Sequence, residues 1–127
     1  MFISYLLMEH LILIFKYIIL IFFFFSQHIL AETIVQGKAK IIDGDTIHIE
    51  KNKIRLHGID APEINQNCFI NDKIWKCGIE SKIALVNFIL KNEVLCNLKN
   101  KDKYQRFIGI CFVNNKNINK YMVENGW

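Results

Sequence analysis

The chain has 127 residues, of which 16 are Lys or Arg and 12 are Asp or Glu, for a formal net charge of +4. That length leaves room for one small domain, and a domain this small often draws stability from a metal, disulfides or a partner. The mild positive excess suits a phosphate polymer, but by itself supports nucleic-acid binding only weakly.

The 52% hydrophobic share is inflated by residues 1–30, and the chain from Glu32 onward has an ordinary soluble composition. Residues 1–31 are expected to be a signal peptide or an N-terminal membrane anchor. Tyr17 to Phe25 reads YIILIFFFF, the length of a signal-peptide apolar region, and Ile29 with Ala31 forms a cleavage site before Glu32. The competing anchor reading arises because Ile, Leu and Phe on both sides of Lys16 nearly reach spanning length. Either reading exports residues 32–127 to the cell envelope or beyond.

From Thr33 the period-two alternation of apolar residues predicts a meander of three strands, Thr33 to Ile42, Asp45 to Lys51 and Lys53 to Ile59. Its tight turns are placed at Asp43-Gly44 and Asn52. Cys77 to Leu90 is the expected helix, with Ile79, Ile83, Val86 and Leu90 at helical spacing and read as its core stripe. Two more strands follow, Glu93 to Lys99 and Gln105 to Val113, and then a short helix from Ile118 to Asn125 that Gly126 ends. The fold class is therefore α+β, mainly β, without internal repeat or low-complexity linker.

All four cysteines lie beyond residue 31, and an even number suits an oxidising compartment. Three pairings are open. An antiparallel register centred between Lys103 and Tyr104 would set Cys96 opposite Cys111, leaving Cys68 to pair with Cys77. Zinc is a weak rival, because the CxxC and HxxxH spacings are absent.

The chemistry is concentrated in Ile41 to Glu63, IIDGDTIHIEKNKIRLHGIDAPE, where Asp43, Asp45, Asp60 and Glu63 sit among strand-like residues. Clustered carboxylates repel one another, and a hard cation or an arginine offsets that repulsion. Only two of the basic residues are arginine, Arg55 and Arg106, and the only proline is Pro62. Arginine brings the planar fork that lysine lacks for bidentate contact with phosphate. Each feature has an ordinary explanation when taken singly: a strand cap for Asp45, a surface pair with Glu50 or Glu63 for Arg55, a turn aromatic for Tyr104.

Jointly they form a pattern. DGDT, then RLHGIDAPE, then DKYQR at Asp102 to Arg106 resembles the staphylococcal nuclease family from about Lys38 to Trp127. The resemblance implies a five-stranded OB-type Greek-key barrel with one helix after the third strand and a short C-terminal helix. It implies calcium held by Asp45, Asp60 and the main-chain carbonyl of Ala61, where the staphylococcal enzyme has threonine. By the same resemblance Glu63 is the general base or water-orienting group, Arg55 and Arg106 clamp the scissile phosphate, and Lys103 and Tyr104 contact the substrate. Asp43 is read evenly as a turn residue or a supporting acid. Gln105 replaces a glycine of the family motif. His48 and His57 receive no catalytic role.

The family usually continues past the equivalent of Glu124–Trp127 with a further extended segment and a third helix, so by resemblance this is an abbreviated member. Two function classes follow. One is a secreted or envelope-associated, monomeric, calcium-dependent endonuclease acting on DNA and RNA with little base preference and leaving 3′-phosphate ends. The other is a nucleic-acid-binding module without catalysis, with a truncated, non-functional fragment as the third outcome.

Overall fold

A computed structural model describes residues 2–25 and 33–127, and the side chains of 8–21 and 33–127. The expected cleavage site at Ile29 and Ala31 lies outside the described residues. The chain divides into two compact units, residues 1–31 and 32–127. The first contains one helix, α1 (Phe2–Phe25). Glu9, His10 and Lys16 interrupt its apolar sequence, and among the described residues no helix is long and apolar enough to cross a membrane.

The second unit is a barrel. Its strands are β1 (Thr33–Ile41), β2 (Thr46–Ile49), β3 (Asn52–Leu56), β6 (Glu93–Lys101) and β7 (Phe107–Val113). They pair in the order β3-β2-β1-β6-β7, and a parallel pairing of β3 with β7 closes the ring. β1 turns the corner: Thr33 to Lys38 pair with β6, and Ala39 to Ile41 pair with β2. Closure removes the open edges that an isolated sheet would present. This is the OB-type architecture expected from the sequence.

Alternation decides the interior. Ile47, Ile49, Ile54, Leu56, Val94, Cys96, Leu98, Cys111 and Val113 point inward and are buried. Full burial of an aliphatic side chain contributes about 1.5–3 kcal/mol. The helix α2 (Cys77–Ile89) adds Leu85 and Ile89, and α3 (Ile118–Glu124) adds Ile118 and Met122. Asn119 fastens α3 to the barrel: its Oδ1 accepts the Cys111 N–H at 2.9 Å, and its Nδ2 donates to the carbonyls of His57 and Gly109.

Three local expectations are corrected. The β2–β3 turn falls on Glu50-Lys51, with Glu50 at φ 51°, so Asn52 already pairs with Ile49. The stripe Ile79, Ile83, Val86 and Leu90 is exposed, while Cys77, Gly78, Ser81, Leu85 and Ile89 form the buried face of α2. Small side chains won that choice because they allow the helix to approach the barrel loops closely. A hairpin of β4 (Cys68–Ile70) and β5 (Lys73–Trp75) also precedes α2, joined by Asn71-Asp72, both with positive φ. That pair suits a two-residue hairpin turn, as does Asn114-Asn115 ahead of the short β8 (Lys116–Asn117).

Cysteine pairing follows the register. Cys96 and Cys111 are opposed on β6 and β7 and are disulfide-bonded, and Cys68 is bonded to Cys77. The predicted register holds from Val94 to Leu98 and shifts by one residue at Lys101, where Phe107 becomes the partner.

Candidate active site

The DGDT segment makes the turn into β2. Asp43 Oδ1 accepts the Asp45 N–H at 3.0 Å, which is the turn role for Asp43. Gly44 has no room for a side chain: a Cβ there would lie 1.8 Å from Ser81 Oγ and 2.7 Å from Ala61 Cβ. Asp45 is thereby held at the head of β2 with 3% exposure. Thr46 Oγ1 donates to its Oδ1 at 2.8 Å.

Arg55, on β3, stands between two acids. Its Nη1 lies 3.0 Å from Asp45 Oδ2, and its Nη2 lies 2.5 Å from Asp60 Oδ1. The first contact is close but poorly aligned, and Asp45 Oδ2 has no hydrogen bond although it is buried. It acts as a charge pair. Burial pushes the Asp45 carboxyl above its usual range, more than the Thr46 hydrogen bond and the Arg55 charge pull it down. For Arg55, burial opposes the charge, but the hydrogen bond to Asp60 and both carboxylates outweigh it and raise its pKa.

After β3 the chain runs through Asp60, the buried Ala61 and Pro62 to an exposed Glu63. Glu63 is held from behind. Its N–H donates to Gln66 Oε1 at 3.2 Å, its carbonyl accepts the Gln66 N–H at 2.7 Å, and the Gln66 carbonyl accepts the Gly78 N–H at 3.2 Å. The Cys68–Cys77 disulfide closes this loop onto the start of α2.

Asp102 builds the second arginine's position. Its Oδ1 accepts the N–H groups of Tyr104 and Arg106 at 2.8 and 3.0 Å, and its Oδ2 takes Arg106 Nε at 2.9 Å. Although desolvation opposes it, the bonds from Arg106 and Tyr104 hold the Asp102 carboxyl below its usual range. Gln105 adopts φ 63°, the left-handed conformation a glycine would favour. Arg106 Nη1 reaches Thr46 Oγ1 at 3.3 Å, which joins the two motifs.

These elements surround a cleft of about 470 Å³ lined by Lys53, Arg55, Glu63, Tyr104 and Arg106. The structure thus brings Arg55, Glu63, Arg106 and Tyr104 to one cleft. Lys103 is exposed, outside the lining, with Nζ 5.0 Å from the Tyr104 ring centre. Sequence reasoning missed Lys53, Thr46 and Asp102; Asp102 lies inside DKYQR, and Lys53 lies one period-two step before Arg55. A second cleft, of about 520 Å³, is lined by Gln36, Glu93, Leu95, Phe112, Asn114 and Asn115. Its one carboxylate is bonded to Gln36 and its lining has no cation, so it offers a phosphate no positive charge.

The donor set offers a hard cation oxygen atoms, but Arg55 stands between its two carboxylates. Asp45 Oδ2 is buried, without a hydrogen bond and raised in pKa, and Asp60 reaches the same guanidinium from the other side. Among the described residues no three His, Cys, Asp or Glu side chains converge. Two carboxylates, a main-chain carbonyl and solvent would have to complete the coordination, which oxygen-seeking ions accept.

A profile of the staphylococcal nuclease homologue family matches residues 53–127. The chain belongs to that family. The match begins at Lys53 and takes in Arg55, Asp60, Glu63 and Arg106, while Asp45 lies just before it. The chain is 38% identical over 99 residues to the succinoglycan biosynthesis protein ExoI of Rhizobium meliloti, covering 76% of this chain and 51% of that protein. It is 35% identical to an uncharacterized endonuclease of Haemophilus influenzae, over 68% of this chain and 47% of that one. A third relative, an uncharacterized endonuclease of Escherichia coli O157:H7, is 30% identical over 87% of this chain and 70% of its own length. The chain spans about half the length of the first two.

Proposed function

We propose that residues 32–127 form a calcium-dependent endonuclease that hydrolyses phosphodiester bonds of DNA and RNA with little base preference. The observation that carries this reading is the convergence of Arg55, Arg106 and Glu63 on one cleft with Tyr104 at its wall. Two relatives are named endonucleases, which supports the same chemistry. Such contacts address phosphate and give little base information.

The two guanidiniums bind the scissile phosphate and hold the charge that builds on its oxygens as the phosphorus becomes five-coordinate. Glu63 orients the attacking water in line with the leaving oxygen and accepts its proton. The bond from phosphorus to the 5′ oxygen then breaks, leaving a 3′-phosphate, and the departing oxygen takes a proton from solvent. Asp45, Asp60 and the Ala61 carbonyl would hold calcium, whose charge supplies further stabilisation to the phosphoryl group. Tyr104 offers a ring on which a base or sugar packs.

For the N-terminal unit we propose export, as a cleaved signal peptide or as an anchor that keeps the monomeric domain at the membrane. The apolar Tyr17 to Phe25 supports that reading.

The test is cleavage of single-stranded DNA and RNA by the oxidised protein, with calcium and with a chelator, beside Arg55→Ala. Calcium-dependent cutting that falls by about a hundredfold or more in the variant is the expected result. A folded protein that binds nucleic acid and never cuts it would replace the nuclease by a binding module.

A further inference from the structure

Lys40, His48 and Lys53 occupy one cross-strand row. Lys40 on β1 is the register partner of His48 on β2, and His48 is the register partner of Lys53 on β3. Directly opposed residues project from the same side of a sheet. Their sequence neighbours Ile47, Ile49 and Ile54 are buried in the barrel, so the row faces outward. Both lysines are exposed and His48 is half-buried.

The row starts at the cleft, because Lys53 lines it and lies two residues before Arg55. Strands lie about 4.8 Å apart, so the row extends roughly 10 Å from Lys53 to Lys40 across the barrel surface. Among the described residues neither lysine makes an ion pair. The nearest carboxylates in sequence are Glu50, in the β2–β3 turn, and Asp43, whose Oδ1 is turned to the Asp45 N–H.

We propose that Lys53, His48 and Lys40 form a track for the sugar-phosphate backbone of the nucleotides flanking the scissile phosphate. The ligand is a single-stranded polynucleotide longer than the cleft itself. The lysines supply point charges to successive phosphates, and the His48 ring offers a donor between them. The track deepens the nuclease reading and rests on it for the position of the scissile phosphate. It favours long substrates over short ones without any choice of base.

The test compares the full chain, the Lys40→Gln/His48→Gln/Lys53→Gln variant and a control, Lys116→Gln, on the separate β8 segment. Anisotropy of a labelled long single-stranded DNA is followed against salt in the presence of a chelator, and kcat/KM is measured with calcium on that DNA and on a dinucleotide. The salt slope should fall by about 0.7 for each phosphate that the variant no longer neutralises. The preference for long over short substrate should drop about tenfold in the triple variant and stay in the control. An unchanged slope together with an unchanged preference would overturn the track. If the wild type cuts neither substrate, the nuclease reading fails, and the salt slope alone then decides for or against the track. Circular dichroism checks the fold, and the exposed single variant Lys40→Gln repeats the slope measurement with the least disturbance.

Discussion

Gly78 lies against the main chain of Glu63 so closely that a Cβ built on it would stand 1.8 Å from the Glu63 carbonyl oxygen. The residue read as general base is therefore seated on a helix through a contact that only glycine permits. Gly78→Ala must push the Glu63 loop outward or tilt α2. Overpacking of this kind costs about 1–3 kcal/mol, and misplacing a catalytic group by about an ångström can cost a hundredfold in rate. We expect kcat to fall far more than KM rises, read by steady-state kinetics beside thermal unfolding. A variant as active as the wild type would show that the loop yields without moving the carboxylate.

Asp45 is a charged group in the wrong place for stability. Its folded pKa is raised above the ordinary value of 3.8, chiefly by burial, so the folded state holds a proton more firmly than the unfolded chain. The group then favours folding at low pH and opposes it once pH rises through the folded value. Asp45→Asn removes that opposition. In chelator at neutral pH the variant should melt higher than the wild type, whereas with calcium it should be inactive. A lower melting temperature in chelator would mean that the contact with Arg55 outweighs burial.

Asp102 has the opposite sign. Its carboxylate is held below 3.8 by bonds from Arg106 and Tyr104, so its contribution is complete above the ordinary value and is lost as pH falls through the folded one. At neutral pH Asp102→Ala frees the Arg106 side chain and two backbone N–H groups. We expect kcat/KM to fall by about a hundredfold, with Asp102→Asn, which keeps an acceptor, lying between. Equal activity in all three proteins would remove Asp102 from the support of Arg106.

The two disulfides should separate stability from activity. Cys96–Cys111 spans 15 residues inside the barrel core, and closing a loop of that length is worth about 3 kcal/mol in the unfolded-chain picture. Cys68–Cys77 spans 9 residues beside the Glu63 loop. Replacing the first pair by alanine should lower the melting temperature most, and replacing the second by serine should lower kcat most. Calorimetry and kinetics on the two double variants distinguish them.

Much of this protein was legible in the order of its residues. Period-two alternation placed the barrel strands, and DGDT, RLHGIDAPE and DKYQR carried Arg55, Glu63 and Arg106 to the site where the fold brings them together. Cysteine pairing could be read because β6 and β7 are joined locally, and a short connection leaves few registers open. Distant contacts were not legible. The parallel pairing of β3 with β7 joins Ile54 to Phe107 across half the chain, and no local pattern encodes it. The buried face of α2 was misread for a related reason. The helix is apolar on two sides, and periodicity cannot say which side meets the barrel. Gly78 and Ser81 decide it, since their small side chains let α2 close on the loops that bear Glu63 and Asp45. Composition and spacing set which side chains could do the chemistry; only close packing in three dimensions set which of them stand where it can happen.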